Sequence, residues 1–381
     1  MENFAVGDDR LTLLSEGPAR LAALIALIDG AERTLRILYY IYSDDDAGRR
    51  VRDALLAAAA RGVRVSLIVD GFGSEAATQG RFFDPLAAAG VSVCCFMPRF
   101  GRRYLLRNHQ KLALADEARA IIGGFNVGDD YFATGPGAWR DLGLLVAGPA
   151  AGRIAGYFDA LHDWVRQPGG KIRHLRRALA RWSERDGAVR WLIGGPTRRL
   201  SPWARAMRHD MRRGTRIDIV AGYFTPSPTM LRRLDRAGRR GGQVRVVTAA
   251  RSDNATTIAA ARFTYRGLLR KGVRIYEYAS SKLHTKLYAI DDAVHIGSAN
   301  FDMRSLFINM EVMLRIEDAA FAGHVRRYVD GEVARSIEIT PEAYRAATGW
   351  WQRVKQFAAY MIVGVLDPTI SRGLNAAIDE E

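Results

Sequence analysis

Two short segments of this sequence combine residue types that can act on a phosphate. His109-Gln110-Lys111 is followed by Asp116 and then by Gly123-Gly124-Phe125-Asn126, and His284-Thr285-Lys286 is followed by Asp291 and then by Gly297-Ser298-Ala299-Asn300. Each reads H-x-K-x4-D, a glycine turn and an asparagine. Residues two apart in a strand share a face, so the imidazole and ammonium of each segment can meet one anion. The turn after the next strand brings backbone N–H groups and an Asn amide to the same edge, where they can donate to phosphate oxygens. A single such segment carries little weight, because a lone strand histidine is usually a core residue. Two in register are different. About a pseudo-twofold axis, two His, two Lys and two Asn converge on one anion and supply nucleophile, general acid and charge clamp. No side chains have the spacing of a metal site, so neither metal nor cofactor is expected.

The elements that must position these residues repeat as well. Leu35 to Ile41 reads as a strand, Gly48 to Ala60 as a helix, Val63 to Val69 as a buried strand, Phe82 to Ala89 as a helix and Val91 to Phe96 as a strand. The second half gives a strand over Arg216 to Phe224, a helix over Thr229 to Arg239 and a strand over Val244 to Thr248. A helix over Thr256 to Arg270 and a strand over Val273 to Tyr278 follow. Arg61-Gly62-Val63-Arg64-Val65 recurs as Gly242-Gln243-Val244-Arg245-Val246, and Gly90-Val91-Ser92-Val93 as Gly272-Val273-Arg274-Ile275, so duplication is the simplest account. The basic stretch Lys171 to Arg190 places a boundary near residue 180, giving units 1–180 and 181–381; such a stretch is usually a solvated helix face. The first turn has Gly124 where the second has Ser298, and the first copy has one residue more between its aspartate and its turn. That difference belongs to the turn and leaves the site intact.

The chain has 381 residues, 48% apolar and 25% charged, which suits a globular protein with a full core. With 56 Lys and Arg against 41 Asp and Glu it carries +15, which predicts attraction to polyanions but names no reaction. Cys94 and Cys95, the only cysteines, are adjacent inside an apolar run and poorly placed to bridge, as suits a reducing compartment. No export signal or membrane span is evident. Phe357 to Leu366 offers ten residues where a span needs about eighteen.

The duplicated pattern resembles the phospholipase D superfamily from about Tyr39 to Glu311, and within it the shorter bacterial cardiolipin synthases that lack N-terminal membrane helices. Beyond the two motifs, the matching stretches are Tyr39-Tyr40-Ile41 with Asp44-Asp45, Trp139-Arg140-Asp141 leading to Gly148-Pro149, and Arg251-Ser252-Asp253. Arg304-Ser305 and Asn309-Met310-Glu311 complete them. The resemblance implies an α/β fold of two tandem phospholipase D-like α/β/α sandwich domains, related by pseudo-twofold symmetry with the active site between them. It implies that His109 forms a phosphohistidine and that His284 protonates the leaving alcohol and then deprotonates the acceptor, with Lys111, Lys286, Asn126 and Asn300 on the phosphate. A carboxylate should hold each imidazole, and Asp141 and Glu311 are the candidates, each lying about thirty residues after the histidine of its own half. Asp116 and Asp291 are assigned structural support.

The reaction so implied joins two phosphatidylglycerols into cardiolipin and glycerol, with an anionic phospholipid surface as partner and no obligatory nucleic acid. The alternative is a phosphodiesterase that uses water, on phospholipid or nucleic acid; a non-catalytic anion binder is disfavoured because both histidine sets are intact. The expected location is peripheral, on the cytoplasmic face of the bacterial inner membrane. Two features bear on that contact. The loop from Phe96 to Asn108 carries Arg99, Arg102, Arg103 and Arg107 without an acid and could rim the site. Trp350, Trp351, Phe357, Tyr360, Met361, Ile362, Val363, Val365 and Leu366, with Arg353 and Lys355, form either a core helix or an interfacial segment.

Overall fold

The computed structural model describes residues 2–97, 106–167, 171–197 and 200–366. Two eight-stranded mixed sheets organise the chain. From edge to edge the first runs Asn3–Val6, Asp9–Leu14, Gly143–Ala147, Arg119–Gly123, Leu112–Ala115, Thr34–Tyr39, Arg64–Asp70 and Ser92–Phe96. The second runs Val189–Gly194, Glu311–Glu317, Ala293–Gly297, Lys286–Ile290, Arg216–Ala221, Gln243–Ala249, Arg274–Tyr278 and Ser336–Ile339. In each, a central hairpin follows the H-x-K segment and is flanked on one side by three parallel strands. The sheets differ at their edges: the first adds Asn3–Val6, the second adds Ser336–Ile339 antiparallel to Arg274–Tyr278.

The central parallel strands become apolar on both faces toward their C-terminal ends, as in Leu67-Ile68-Val69 and Ile219-Val220-Ala221, because helices cover the outer face and a second apolar layer covers the inner one. On the outside of the first sheet, the helix Asp46–Ala60 is capped by the Asp45 carboxylate, which accepts from the Gly48 amide at 2.9 Å. It turns Val51, Ala54, Leu55 and Ala58 inward, and full burial of Val51 and Leu55 contributes about 1.5–3 kcal/mol each. On the outside of the second sheet, the helices Pro202–Arg213 and Pro228–Arg239 each begin with a serine cap followed by proline. Between the sheets lies one core shared by both halves, joining Leu38 and Ile68 of the first to Val220 and Val247 of the second. The helices Ala155–Arg166 and Ala319–Ala334 add Phe158 and Val325 to it. The basic stretch forms the helix Ile172–Trp182, which buries Ile172, Leu175 and Leu179 in this core and leaves Arg173, Arg177 and Arg181 exposed.

Three local expectations are corrected. The helix foreseen over Phe82 to Ala89 spans only Asp84–Ala88, because Phe82 and Phe83 are buried against the Tyr42 ring. The strand foreseen over Arg216 to Phe224 ends at Ala221, and Phe224–Thr225 pairs separately with Phe301–Asp302. Gly222 makes the break: a Cβ there would lie 2.3 Å from the Leu283 carbonyl oxygen. Third, the H-x-K segments are not strand interior; Leu112–Ala115 starts after Lys111, and Lys286 is the first residue of its strand. Arg99, Arg102 and Arg103 lie outside the described residues.

Candidate active site

Where the two sheets meet, the segments that carry the histidines pair with segments of the opposite half. The His109 amide donates to the Met310 carbonyl at 3.0 Å, and the His284 amide donates to the Arg140 carbonyl at 2.8 Å. Lys282–Leu283 runs parallel to Trp139–Arg140, and Asn108 bridges to Met310. Met310 and Arg140 immediately precede Glu311 and Asp141, so each histidine is set beside the carboxylate of the other half. His109 Nδ1 lies 3.1 Å from both Glu311 oxygens, and His284 Nδ1 lies 2.6 Å from Asp141 Oδ2. This corrects the expectation that each carboxylate serves the histidine of its own half. The site is reciprocal, and each half is incomplete alone.

The supports of the two carboxylates differ. Glu311 accepts from Ser298 Oγ at 2.5 Å and from Ser305 Oγ at 2.8 Å. Asp141 accepts from the Leu142 amide at 2.7 Å. The Gly124 for Ser298 exchange follows from packing: a Cβ on Gly124 would lie 2.4 Å from Asp141 Oδ1 and 2.8 Å from Lys286 Cδ. The backbone of Asp141 is itself pinned by the buried Arg20, whose guanidinium donates to the carbonyls of Asp141 at 2.6 Å and Tyr131 at 2.7 Å.

The lysines fold back in matching fashion. Lys111 Nζ donates to the His109 carbonyl at 2.6 Å and Lys286 Nζ to the His284 carbonyl at 2.5 Å. Both are buried to 1% exposure, which makes their charge costly until an anion arrives. Burial lowers the Lys286 ammonium to about 8 and drives Lys111 well below its ordinary value. Burial, reinforced by Lys286, holds His284 down to about 3; burial with Lys111 and Lys286 puts His109 well below its ordinary value. Burial raises Glu311 to about 8 even against the pull of Lys111. At Asp141 burial opposes ionisation, but His284 and Lys286 outweigh it and the carboxyl lies below its usual range.

The asparagines are both buried at the same junction. Asn126 Oδ1 accepts from the Ile41 amide at 3.1 Å, which leaves its NH2 group as the donor. Asn300 Oδ1 is buried without a partner. Asp116 and Asp291 are not at the site. Each sits at the far tip of its central hairpin with positive φ, 54° and 46°. The Asp116 carboxylate accepts from the amides of Glu32, Arg33 and Thr34, and the Asp291 carboxylate from the Thr215 and Arg216 amides. The extra residue of the first copy is absorbed in this turn, where Glu117 also has positive φ.

Aromatic walls complete the site, and the motifs alone did not single them out. The Tyr40 ring centroid lies 5.0 Å from that of His109, and Trp139, Tyr131 and Tyr223 lie 5.2, 5.5 and 6.0 Å from that of His284. The Tyr223 hydroxyl donates to Asp253 at 2.6 Å. The signal for Tyr40 and Trp139 was present in the matching stretches Tyr39-Tyr40-Ile41 and Trp139-Arg140-Asp141; Arg251-Ser252-Asp253 pointed only to the partner of Tyr223, and Tyr131 lay outside all of them. Among the described residues, no group of three or more His, Cys, Asp or Glu side chains is placed to hold a metal ion.

Two copies of one sheet that exchange His–carboxylate partners across their junction define a phospholipase D-type centre. Residues 24–161 and 207–332 match the family described as cardiolipin synthase, PLD-like domain. Cardiolipin synthase A of Pseudomonas entomophila (strain L48) is 32% identical over 350 residues, covering 89% of this chain and 72% of that protein. Cardiolipin synthase 1 of Bacillus anthracis is 30% identical over 357 residues, covering 88% of this chain and 69% of that protein. The crystal structure of phosphatidylserine synthase from Haemophilus influenzae Rd KW20 shares the fold with a TM-score of 0.75 at 13% identity, covering 93% of this chain and 95% of that one. The chain belongs to the cardiolipin synthase, PLD-like domain family, and it is accordingly a phosphatidyltransferase of the phospholipase D superfamily.

Proposed function

We propose that the enzyme joins two phosphatidylglycerols into cardiolipin and glycerol through a phosphohistidine on His109. The observation that carries the mechanism is the reciprocal pairing of His109 with Glu311 and His284 with Asp141, since Nδ1 of each ring is occupied and Nε2 is left for chemistry. His109 Nε2 attacks phosphorus as the P–O bond to the glycerol headgroup breaks, and His284 gives that oxygen its proton. His284 then takes the proton of a hydroxyl on the second phosphatidylglycerol, whose oxygen attacks phosphorus and frees His109. The phosphodiester anion favours the protonated imidazole, so substrate arrival raises His284 from its low value and readies it as an acid. Lys111, Lys286 and the Asn126 and Asn300 amides hold the charge that grows on the phosphoryl oxygens.

We place this chemistry on the cytoplasmic face of the inner membrane, with peripheral attachment. No helix among the described residues is long and apolar enough to cross a membrane. The helix Trp350–Tyr360 docks one face on the helix Ala255–Leu269, with Phe263 centred 5.0 Å from the Tyr360 ring. Its other face leaves Trp350, Trp351 and Val354 exposed, with the half-exposed Phe357 at the margin against Phe263, an apolar stripe suited to a lipid interface beside Arg353 and Lys355. The test is product analysis with headgroup-labelled phosphatidylglycerol in mixed micelles. Cardiolipin and free glycerol are expected; phosphatidic acid as the main lipid product would make the enzyme a hydrolase and defeat the proposal.

A further inference from the structure

On the outer layer of the second half, the facing helices Pro202–Arg213 and Pro228–Arg239 enclose a cavity of about 580 Å³. Arg208, Arg212, Arg213, Arg233, Arg236 and Arg240 line it. Among the described residues no carboxylate pairs with any of the six. The acids of these helices are already engaged, Asp235 by Arg239 and Lys271, and Asp210 by His295 and Arg315. Arg233 is half-buried, and the other five are exposed around it. One of its Nη atoms donates to the Thr229 carbonyl, but its Nε is buried without a partner. Burial and then the charges of Arg208, Arg236 and Arg212 make its charged form harder to hold. Like charges gathered in this way repel one another until an anion joins them, and planar guanidinium forks match phosphate oxygens two at a time.

The cavity does not end at the arginines. Arg208 and Arg233 also border an adjoining groove of about 430 Å³ whose remaining walls include Leu200, Ala204, Met230, Met303, Leu306 and Phe307. This groove opens between the N-terminal ends of the two helices, and Met303 and Leu306 share a single-turn helix with Ser305, which holds Glu311. A cationic pocket thus continues into an apolar channel. Free phosphate would use only the first, and a nucleic-acid strand would call for stacking rings along a basic track.

We propose that this slot binds one anionic phospholipid, with its phosphate among the six arginines and an acyl chain along the groove, as a site separate from the His–Lys centre. The assignment does not rest on the transfer reaction proposed above.

The experiment uses the full chain and two probes, dihexanoyl phosphatidylglycerol as a monomer and phosphatidylglycerol/phosphatidylcholine vesicles, with inorganic phosphate for comparison. The cluster variant is Arg208→Gln/Arg233→Gln/Arg236→Gln, and the charge-matched control is Arg173→Gln/Arg177→Gln/Arg185→Gln. The soluble lipid should slow amide exchange in both helices of the unmodified protein and leave the cluster variant unchanged. The cluster variant should lose at least tenfold in vesicle affinity, the control less than threefold, and Leu200→Gln should weaken binding of the soluble lipid. Turnover of the soluble lipid should stay within twofold in every variant. Equal losses in cluster and control variants would reduce the effect to net charge and overturn the proposal. Equal protection by inorganic phosphate, with Leu200→Gln silent, would make it a free-anion site and overturn it too.

Discussion

At the scale of single residues, the exchange of partners between halves makes predictions that a within-half pairing does not. Glu311→Gln should disturb His109, and Asp141→Asn should disturb His284, because the short contacts run across the junction. Each is expected to cost roughly 10³- to 10⁴-fold in kcat, as removal of the carboxylate that orients a catalytic imidazole does elsewhere. In ¹⁵N spectra of labelled histidine, each variant should shift the ring signals of the opposite half's histidine. Shifts confined to the same half would defeat the crossed assignment. The alkaline behaviour follows from Lys286. Burial lowers its ammonium to about 8, so kcat/KM should fall above about pH 8 as the free enzyme loses that charge. Lys286→Arg, whose charge persists, should move this limb at least one pH unit higher in a pH–rate profile; an unmoved limb would assign the titration to another group.

At the scale of elements, the two H-x-K-x4-D motifs divide their labour between the ends of one hairpin. The histidine and lysine stand at the end facing the junction, whereas the aspartate closes the far tip and ties it to the strand beginning at Thr34 or Arg216. Asp291→Ala loses two backbone hydrogen bonds and puts a Cβ residue without a polar side chain at positive φ, which should cost about 1–3 kcal/mol. At Asp116 the carboxyl is held below its usual range: burial slightly opposes this, and the amides of Glu32, Thr34 and Arg33 outweigh it. Its contribution is therefore present at neutral pH and is lost as pH falls through the carboxylate range. Thermal unfolding should register Asp291→Ala, while kcat measured well below the transition should change by less than about threefold; a 100-fold loss of kcat at unchanged Tm would return the residue to the chemistry. The central strands were legible in the sequence because β-branched and apolar residues alternate with polar ones and then run together where both faces are covered, as in Val63-Arg64-Val65-Ser66-Leu67-Ile68-Val69. The break at Gly222 was not, since it is imposed by the Leu283 carbonyl of a distant segment. The choice of carboxylate was hidden for the same reason. Asp141 and Glu311 each lie about thirty residues after a histidine of their own half, and only the pairing of Met310 with Asn108 and of Arg140 with Leu283 brings them to the other.

At the scale of the molecule, the proposed lipid contact falls on the C-terminal helix Trp350–Tyr360. The sequence offered a core helix or an interfacial segment over Trp350 to Leu366, and the helix Trp350–Tyr360 packs one face on the protein and leaves the other exposed. Gln356, Ala359 and Tyr360 are buried, and the Tyr360 hydroxyl donates to the Pro226 carbonyl at 2.9 Å. Trp350, Trp351 and Phe357 are 67%, 62% and 50% exposed. The composition of the stretch was legible, but its division into faces was not, because that depends on Phe263 and Leu231 waiting on neighbouring helices. Truncation would strip the docking face along with the exposed one and uncover Phe263, so point substitutions are the cleaner test. Trp350→Ser/Trp351→Ser/Val354→Ser removes two rings and a valine from the outer face and leaves Gln356, Ala359, Tyr360 and the Phe357–Phe263 contact in place. Insertion of a half-exposed aromatic is worth roughly 2 kcal/mol by area. Vesicle flotation of this variant should fall at least tenfold, while Tm and turnover of a soluble short-chain lipid stay near those of the unmodified protein. Flotation of the unmodified chain should rise with phosphatidylglycerol content and weaken in 1 M salt, where screening shortens the Debye length to about 3 Å. A variant that floats like its parent would leave the exposed stripe without a lipid role, and a variant with a collapsed Tm would show that these side chains pack against the protein.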